Sequence, residues 1–267
     1  MTPWARARSA GMLALAALAM FTISVAPLSA QYGKGPGGRA PYEYQPPGRN
    51  EAGRFDYYAL VLSWSPTFCA SQRDRNEPQC NARDGRQYAF VLHGLWPQHE
   101  RGWPQDCPTR DRPFVPRPTI DRMLDIMPSP RLVIHEYRKH GTCSGLSPDA
   151  YYDLARRLYA KVKIPPRFVR PNQSFFVTPG DLREEFLSAN PTLKDESVAV
   201  ACGGPGGRLR EVRICFSREG EFRPCGRNED ARRLCSQPRM YVPPVRGGGG
   251  GPDRERSPLP GPLDRRI

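Results

Sequence analysis

All four histidines of this 267-residue chain lie between positions 93 and 140, and three of them fall in two short segments rich in charged and aromatic residues. His93 lies in the segment FVLHGLWPQ (90–98), and His135 and His140 lie in the segment HEYRKHGTC (135–143). Imidazole titrates near neutral pH, so two copies in different surroundings can serve as an acid and a base. The clustering therefore indicates a site that transfers protons.

The second segment gathers charged groups if it is helical, and a helix is predicted over residues 131–142. At about 100° per residue, the side chains that carry chemistry then fall on one side of the helix, within about 140°. These side chains are His135, Glu136, Lys139 and His140. Glu136 and Lys139 alone would fit an ordinary solvated helix face. Two of the four imidazoles on the same side favour a site.

A zinc site is the first alternative for this helix. The metalloprotease pattern His-Glu-x-x-His places two imidazoles four residues apart on one helix face. Here Lys139 stands four residues after His135, and His140 follows at the fifth position. A lysine between the ligands would repel a cation. The sequence therefore predicts no metal ion and no other cofactor.

The same residue types suit cleavage of RNA without a metal. That reaction needs a base for the ribose 2′-OH, an acid for the departing 5′-oxygen and cations near the phosphorane. His93 is predicted on a strand and His140 on a helix, so the two imidazoles can lie on opposite sides of a phosphate. Lys139 and a protonated His135 would supply positive charge.

The predicted elements place the chain in the α+β class, with a central, mainly antiparallel sheet flanked by helices in a single disulfide-rich domain. Strands are predicted over 55–64, 87–95, 197–201 and 208–217, and helices over 131–142, 151–162 and 181–188. Strands and helices do not alternate strictly, which argues against a doubly wound fold. The first connection between strands carries two cysteines and is predicted without a helix. Simple alternation along the second strand puts His93 and Leu95 on one face.

The chain ends predict an exported protein with a domain over residues 55–240. Residues 1–30 have a basic start, an uncharged run over 11–26 and a small residue at the expected cut, which is typical of a signal peptide. A retained membrane anchor is less well supported, because a spanning helix needs about 20 apolar residues. Residues 31–54 are predicted to be a flexible segment, and residues 241–267 a disordered tail rich in Pro, Gly and Arg. We expect the mature protein to be periplasmic or secreted, without stable membrane association.

Eight cysteines all fall inside the predicted domain, at positions 69, 80, 107, 143, 202, 215, 225 and 235. An even number behind an export signal predicts a disulfide framework. A zinc cluster is the alternative, but the sequence has no Cys-x-x-Cys pair. Proximity in sequence favours Cys69 with Cys80 and Cys215 with Cys225.

The formal net charge of +13 includes +7 in residues 55–240, after the +4 of residues 1–54 and the +2 of residues 241–267 are set aside. A basic exported domain attracts polyanions such as RNA, DNA, acidic glycans or a membrane surface. A basic but merely solvated surface has the same composition, so the charge alone leaves these partners open.

The two histidine segments, in this order and about 40 residues apart, resemble the active-site segments of the T2 family of secreted ribonucleases. The resemblance extends over most of 55–235 and includes LSWSP (62–66) and EVRICF (211–216). Tyr137 stands where the family commonly has tryptophan, a change that should preserve packing.

The resemblance implies an α+β fold and cleavage of single-stranded RNA through 2′,3′-cyclic phosphates to 3′-phosphates, without a metal. By position, it implies that His93 is the general acid and His140 the general base. Glu136 and Lys139 would polarise the phosphate and stabilise the pentacovalent state, and His135 would bind the phosphate. The resemblance also implies the pairings Cys69–Cys80, Cys107–Cys143, Cys202–Cys235 and Cys215–Cys225.

Other expectations concern specificity and partners. Trp96 is either a stacking surface for a base or a core residue, and His99 is expected to be an exposed loop histidine without a role. Gln98 replaces an acidic residue of some members, which favours low base specificity. The 2′-OH requirement predicts no cleavage of DNA, and we expect a monomer. The alternatives are a catalytically silent protein of the same fold that binds RNA or another polyanion, and a secreted protein that docks on membranes or acidic glycans.

Overall fold

The structure of the chain, a computed structural model, describes residues 50–72, 77–81 and 85–245. The predicted signal peptide (1–30) lies outside the described residues, as do most of the two segments predicted to be flexible or disordered. No helix within the described ranges is long and apolar enough to cross a bilayer.

Six strands and six α-helices make up the described fold. The strands are β1 (Tyr57–Trp64), β2 (Phe90–Gln98), β3 (Phe175–Val177), β4 (Val198–Gly203), β5 (Arg208–Phe216) and β6 (Met240–Val242). The α-helices are α1 (Ser65–Ser71), α2 (Arg117–Asp121), α3 (Pro130–Lys139), α4 (Pro148–Ala160), α5 (Pro179–Ala189) and α6 (Ala231–Leu234). Short 3₁₀ turns cover Gly141–Ser144, Pro166–Phe168, Asp195–Ser197 and Arg227–Glu229.

The strands form one six-stranded sheet in the order β2-β1-β5-β6-β3, with β4 also paired to β5. Every pairing is antiparallel except the short parallel contact between β5 and β6. The predicted class, α+β with a mainly antiparallel sheet and flanking helices, is confirmed.

One side of the sheet, the core face, is packed against the helices. Leu60, Leu62 and Trp64 of β1 lie on it, and each is fully buried. Helix α4 is held to this side because Tyr151 Oη donates to the Leu95 carbonyl at 2.7 Å. Full burial of one large apolar side chain contributes about 1.5–3 kcal/mol. The opposite side, the site face, carries Val61 and Ser63.

A β-bulge at His93 changes which residues of β2 reach each face. Val61 pairs with Gly94 but Leu62 pairs with Leu92, so His93 is an extra residue without a partner in β1. Leu95 therefore joins Leu92 on the core face, where both are fully buried. The prediction that His93 and Leu95 share a face is wrong, because alternation assumes an unbroken ladder.

A second bulge has the same effect in β5. Ala201 pairs with Glu211 but Cys202 pairs with Leu209, which leaves Arg210 unpaired with β4. Leu209 is fully buried in the core, although strict alternation along the strand would put it on the same face as Glu211 and Arg213. Glu211 and Arg213 lie on the site face, since they pair with Ser63 and Val61 of β1.

The observed elements differ from the sequence prediction at several points that matter for the site. The first connection contains a helix, α1, that the prediction missed, and it begins at Ser65-Pro66, where proline occupies the first turn. Strand β2 continues through Pro97 to Gln98 rather than ending at Leu95, because an edge strand tolerates a proline. Helix α3 ends at Lys139, with His140 as its C-cap.

The fold also extends beyond the predicted domain limits of 55 and 240. Gly53 N donates to the Cys143 carbonyl at 2.9 Å, and Val245 N donates to the Pro171 carbonyl at 2.8 Å. Val242 and Val245 are buried in the core. Strand β6, which begins at Met240, and the buried Val245 therefore continue the packed structure past residue 240.

The eight cysteines form four disulfides, with the pairings that the family resemblance implies. They are Cys69–Cys80, Cys107–Cys143, Cys202–Cys235 and Cys215–Cys225. Cys107–Cys143 anchors the 3₁₀ turn that directly follows His140.

We predict that the double substitution Cys107→Ser/Cys143→Ser lowers the free energy of unfolding by about 2–5 kcal/mol. We also predict that it lowers the RNA cleavage that the family resemblance implies, because the turn next to His140 loses its anchor. Cys202→Ser/Cys235→Ser is the matched control, since the two disulfides span 36 and 33 residues. Chemical denaturation should show similar losses of stability for both, and activity should fall more for the first. Equal activity losses would contradict the anchoring role.

Candidate active site

The ring of His93 lies between two carboxylates on the site face. Its Nδ1 is 3.2 Å from Glu211 Oε1, and its Nε2 is 3.6 Å from Glu136 Oε1. The side chain is 31% exposed, whereas the carboxylates are nearly buried. His93 follows Val91 on the site face, and both Val91 and Glu211 pair with Ser63 of β1, one from each side.

Helix α3 brings the second set of groups to the sheet. Ser129 is the N-cap of this helix, and its hydroxyl accepts a hydrogen bond from Leu132 N at 3.3 Å. Pro130 follows in the first turn. Glu136, one turn before the helix end, is 1% exposed. His140, the C-cap, is 5% exposed. The helix therefore presents these two groups to the sheet.

Trp96 connects the strand to the helix. Its Nε1 donates to Glu136 Oε2 at 2.7 Å, and its ring stacks on the His140 ring with centroids 4.9 Å apart. The Arg213 guanidinium lies 5.0 Å from the ring centroid. Trp96 is thus neither a purely core residue nor a free stacking surface. It supports Glu136 and His140.

Gly94 makes this connection possible. A Cβ at position 94 would lie 2.1 Å from Glu136 Oε2 and 2.6 Å from Trp96 Nε1. The carboxylate of Glu136 therefore occupies the space that any side chain at position 94 would need.

The two imidazoles of the site differ in their proton affinity. Burial alone would lower the pKa of His93, but the hydrogen bond to Glu211 and the charge of Glu136 outweigh it and raise this pKa above its ordinary value. Burial and the positive charge of Lys139 hold the pKa of His140 well below its ordinary value. His93 is therefore the more basic of the two imidazoles, and it holds a proton at pH values where His140 is neutral.

The two glutamates also differ in proton affinity: the pKa of Glu136 is raised and that of Glu211 is lowered. Burial raises the pKa of Glu136, although the charge of His93 opposes the shift. Burial also acts on Glu211, but the hydrogen bond with His93 and the charge of Arg213 outweigh it and lower the pKa of Glu211 to about 2. Glu211 is therefore a permanent anion beside His93.

Glu211 belongs to a charged network that the sequence analysis did not identify as functional. Arg213 Nη2 donates to Glu211 Oε2 at 3.0 Å, and its Nη1 lies 3.5 Å from Glu229 Oε1. Glu229 in turn accepts a hydrogen bond from the Tyr57 hydroxyl. The available signal was an acidic residue in EVRICF, an otherwise buried strand segment.

The two predicted phosphate ligands lie at the rim of the site. His135 is exposed on α3 and lines, with His93, a cavity of about 240 Å³. Lys139 is half-buried, and its charge acts on both Glu136 and His140. The structure thus places all six predicted site residues around one region. His99 lies outside it and is partly buried rather than exposed.

Comparisons with known proteins identify the family. The profile of the Ribonuclease T2 family matches residues 55–225. A ribonuclease of Aeromonas hydrophila is 36% identical over 211 residues, which cover 74% of this chain and 90% of that protein. Ribonuclease I of Escherichia coli is 29% identical over 218 residues, covering 66% and 80% of the two chains.

Solved structures share the fold at lower identity. RNase NT in complex with 5′-AMP has a TM-score of 0.52 and 23% identity, and covers 72% of this chain and 99% of its own. An RNase-related protein from Calystegia sepium has a TM-score of 0.54 and 20% identity, with coverage of 72% and 98%.

The family match and the ribonuclease relatives show that the chain is an enzyme that cleaves RNA. The chain belongs to the ribonuclease T2 family. The prediction of a T2-type endoribonuclease is therefore confirmed.

We predict that Gly94→Ala lowers kcat about 10²-fold or more, because the new methyl group displaces Glu136 and Trp96, and with them the ring that stacks on His140. Gly180→Ala is the control, since a Cβ at position 180 has its nearest contact at 3.6 Å, on Thr178 Oγ1. RNA cleavage and thermal unfolding should be measured together. Wild-type kcat in a folded Gly94→Ala protein would contradict the role given to Glu136 and Trp96.

Proposed function

We propose that the protein is an exported, metal-independent endoribonuclease of low base specificity that cleaves single-stranded RNA by attack of the 2′-OH. The proposal depends on one observation: two imidazoles whose pKa values are shifted in opposite directions both contact the Trp96 ring, His93 edge-on and His140 by stacking. One is suited to donate a proton and the other to accept one at the same pH.

In the first step, neutral His140 takes the proton of the ribose 2′-OH, and the oxygen attacks phosphorus. The bond from phosphorus to the 5′-oxygen breaks, and protonated His93 gives its proton to that oxygen. The products are a 2′,3′-cyclic phosphate and a free 5′-hydroxyl. In the second step, His93 takes a proton from water and His140 returns one to the 2′-oxygen, which leaves a 3′-phosphate. The pKa directions of His93 and His140 support this assignment of acid and base.

Charge near the phosphate comes from helix α3. His135 and Lys139 lie at the rim of the site, where they can bind the phosphate and balance the charge that builds on the phosphorane. Glu136 is more deeply buried than His135 and Lys139 and lies between Trp96 and His93. It would therefore contact the phosphate on the side where His93, the general acid, lies. No group of three or more His, Cys, Asp or Glu residues within the described ranges could hold a metal ion, and the absence of a metal requirement stays a prediction.

Glu211 holds the imidazole of His93 in one orientation and favours its protonated form, as a general acid requires. It binds Nδ1 of His93, which leaves Nε2 for the substrate and stabilises the imidazolium. Arg213 holds Glu211 in place from the same strand. Glu211 is therefore a positioning residue for the general acid.

The substrate class and the location of the protein are also part of the proposal. RNase NT, which shares the fold, binds 5′-AMP in its crystal structure, and the cavity beside His93 and His135 can take a base. We propose that RNA is the substrate and that DNA, which lacks the 2′-OH, is not cleaved. The leader predicted over 1–30 supports export to the periplasm or outside the cell, and we propose a monomer.

The alternative of a silent RNA- or polyanion-binding protein requires a damaged site. Here His93, His140, Glu136 and Lys139 are all present and gathered in one region, so the enzyme is favoured. The alternative of a protein that docks on membranes or glycans does not explain why these four side chains lie together.

We predict that His93→Ala and His140→Ala each lower RNA cleavage by about 10²- to 10⁴-fold, the usual contribution of a positioned acid or base. Phe114→Ala, at an exposed ring, serves as the control. Cleavage of single-stranded RNA should be followed in excess chelator, with circular dichroism to show that each variant is folded. Wild-type turnover by either histidine variant would refute the assignment, and loss of wild-type activity on chelation would restore a metal site.

A second test concerns pH. Activity requires protonated His93, so it falls as pH rises through the pKa of His93, and it requires neutral His140, so it falls as pH drops through the lower pKa of His140. Glu211→Gln keeps an acceptor for Nδ1 but removes the charge. We predict that the pKa of His93 falls and that the alkaline limb of the kcat profile moves to lower pH.

The other charged groups around His93 and His140 influence both limbs of the pH profile, and they remain in the Glu211→Gln variant. They come from Arg213 on β5 and from Glu136, His135, Lys139 and His140 on or next to α3. The acidic limb should therefore stay in place. Glu219→Gln, at a fully exposed side chain, is the control. An alkaline limb that does not move in Glu211→Gln would show that Glu211 does not set the proton affinity of His93.

A further inference from the structure

Four side chains at the far end of the sheet form a row of two aromatic rings with an arginine at each end. The Arg208 guanidinium lies 5.4 Å from the Tyr241 ring centroid, and the Tyr241 and Phe176 centroids are 5.6 Å apart. The Arg239 guanidinium lies 5.0 Å from the Phe176 centroid. We refer to Arg208, Tyr241, Phe176 and Arg239 as the arginine–aromatic row.

The row lies on the same side of the sheet as the active site. Arg208 pairs with Tyr241, and Tyr241 pairs with Phe176, so the three side chains follow one another across β5, β6 and β3. Their neighbours Leu209, Met240 and Val177 are buried on the core face. The row therefore belongs to the site face.

Strand β5 connects the row directly to the active site. Glu211 follows Arg208 by three residues, which is roughly 10 Å at about 3.3 Å per residue. Both Arg208 and Glu211 lie on the site face, although they are three residues apart, because the extra residue Arg210 shifts the alternation of the strand by one position. A chain held at His93 can thus continue across the same surface.

The row is open to solvent and carries positive charge that no carboxylate of a described residue balances. Phe176 is 52% exposed, one of three large hydrophobic side chains within the described ranges that are more than half exposed. Neither Arg208 nor Arg239 forms an ion pair with a carboxylate of a described residue, whereas Arg213 and Arg223 each do. The row thus offers ring faces and positive charge together.

We propose that the arginine–aromatic row binds the part of a single-stranded RNA substrate that lies beyond the cleaved bond. Rings stack with bases of any sequence, and arginines contact the phosphates on either side of them. Two rings flanked by two guanidinium groups match two bases flanked by their phosphates in a strand. The row would thereby favour long RNA over short fragments without selecting a base.

This inference rests on the proposed function, since the occupant is the RNA that the active site cleaves. The test compares Phe176→Ala/Arg239→Ala, which removes an exposed ring and an exposed arginine, with the control Phe114→Ala/Arg157→Ala. The control changes the same residue types at exposed positions elsewhere. The probe is a 2′-O-methylated single-stranded oligonucleotide, which lacks the attacking 2′-OH and is long enough to span both regions.

We expect the first variant to bind the long probe about tenfold more weakly or worse, with a salt slope of log Kd smaller by roughly 0.7 for the arginine removed. Its kcat/KM on a dinucleotide should stay within about twofold of wild type, and the control should match wild type in both assays. Thermal unfolding should confirm that both variants are folded.

Three results would overturn the proposal. They are unchanged binding of the long probe by the first variant, an equal loss in the control, and an equal loss in dinucleotide cleavage. A wild-type protein that cleaves no RNA at all would refute the proposed function instead. The binding measurement would then still decide whether the row holds single-stranded nucleic acid.

Discussion

The hydrogen bond from Trp96 to the buried carboxylate of Glu136 is the contact on which the site depends. It joins strand β2 to helix α3 at the point where Gly94 leaves room for a carboxylate instead of a side chain. Because the Trp96 ring also stacks on His140, the same contact fixes the distance between the two imidazoles. A buried charge accepting a hydrogen bond from an indole is costly to disturb, so strand and helix hold one relative position.

That rigid arrangement also separates the proton affinities of the histidines. His93 has a carboxylate on each nitrogen, whereas His140 is buried among cations and against an aromatic ring. The environments, not the residue types, decide which of the two imidazoles is the more basic. A site with two histidines in equivalent surroundings would give up this division, since both would gain and lose protons together.

Much of the site could be predicted from the sequence, because its chemistry is concentrated in two short segments. The residue types and spacing of His135, Lys139 and His140 argued against zinc and in favour of a phosphate, and the cysteine pattern indicated a disulfide framework. The fold class followed from the order of strands and helices. These features depend on residue types and periodicity within short segments, so they can be recognised without knowing how distant segments pair.

The parts that could not be predicted depend on breaks in the strand ladders. A single extra residue at His93 moves Leu95 into the core, and another at Arg210 does the same for Leu209. Alternation alone gives Leu95 and Leu209 to the wrong face, because it assumes an unbroken ladder. Glu211 was missed for a related reason: its partner His93 is 118 residues away, on a strand that is not adjacent in the sheet.

The two bulges together explain why one face of the sheet can hold charged groups at all. Each bulge places two apolar side chains of its strand three residues apart on the core face, which leaves the residues between and beside them free for the site face. Arg208 gains its place on the site face in this way, while His93 and Glu211 stay on that face as Leu95 and Leu209 turn to the core. A regular sheet with the same sequence would bury some of these charges in the core and expose leucines in their place. The bulges are therefore the structural condition for both the catalytic groups and the arginine–aromatic row.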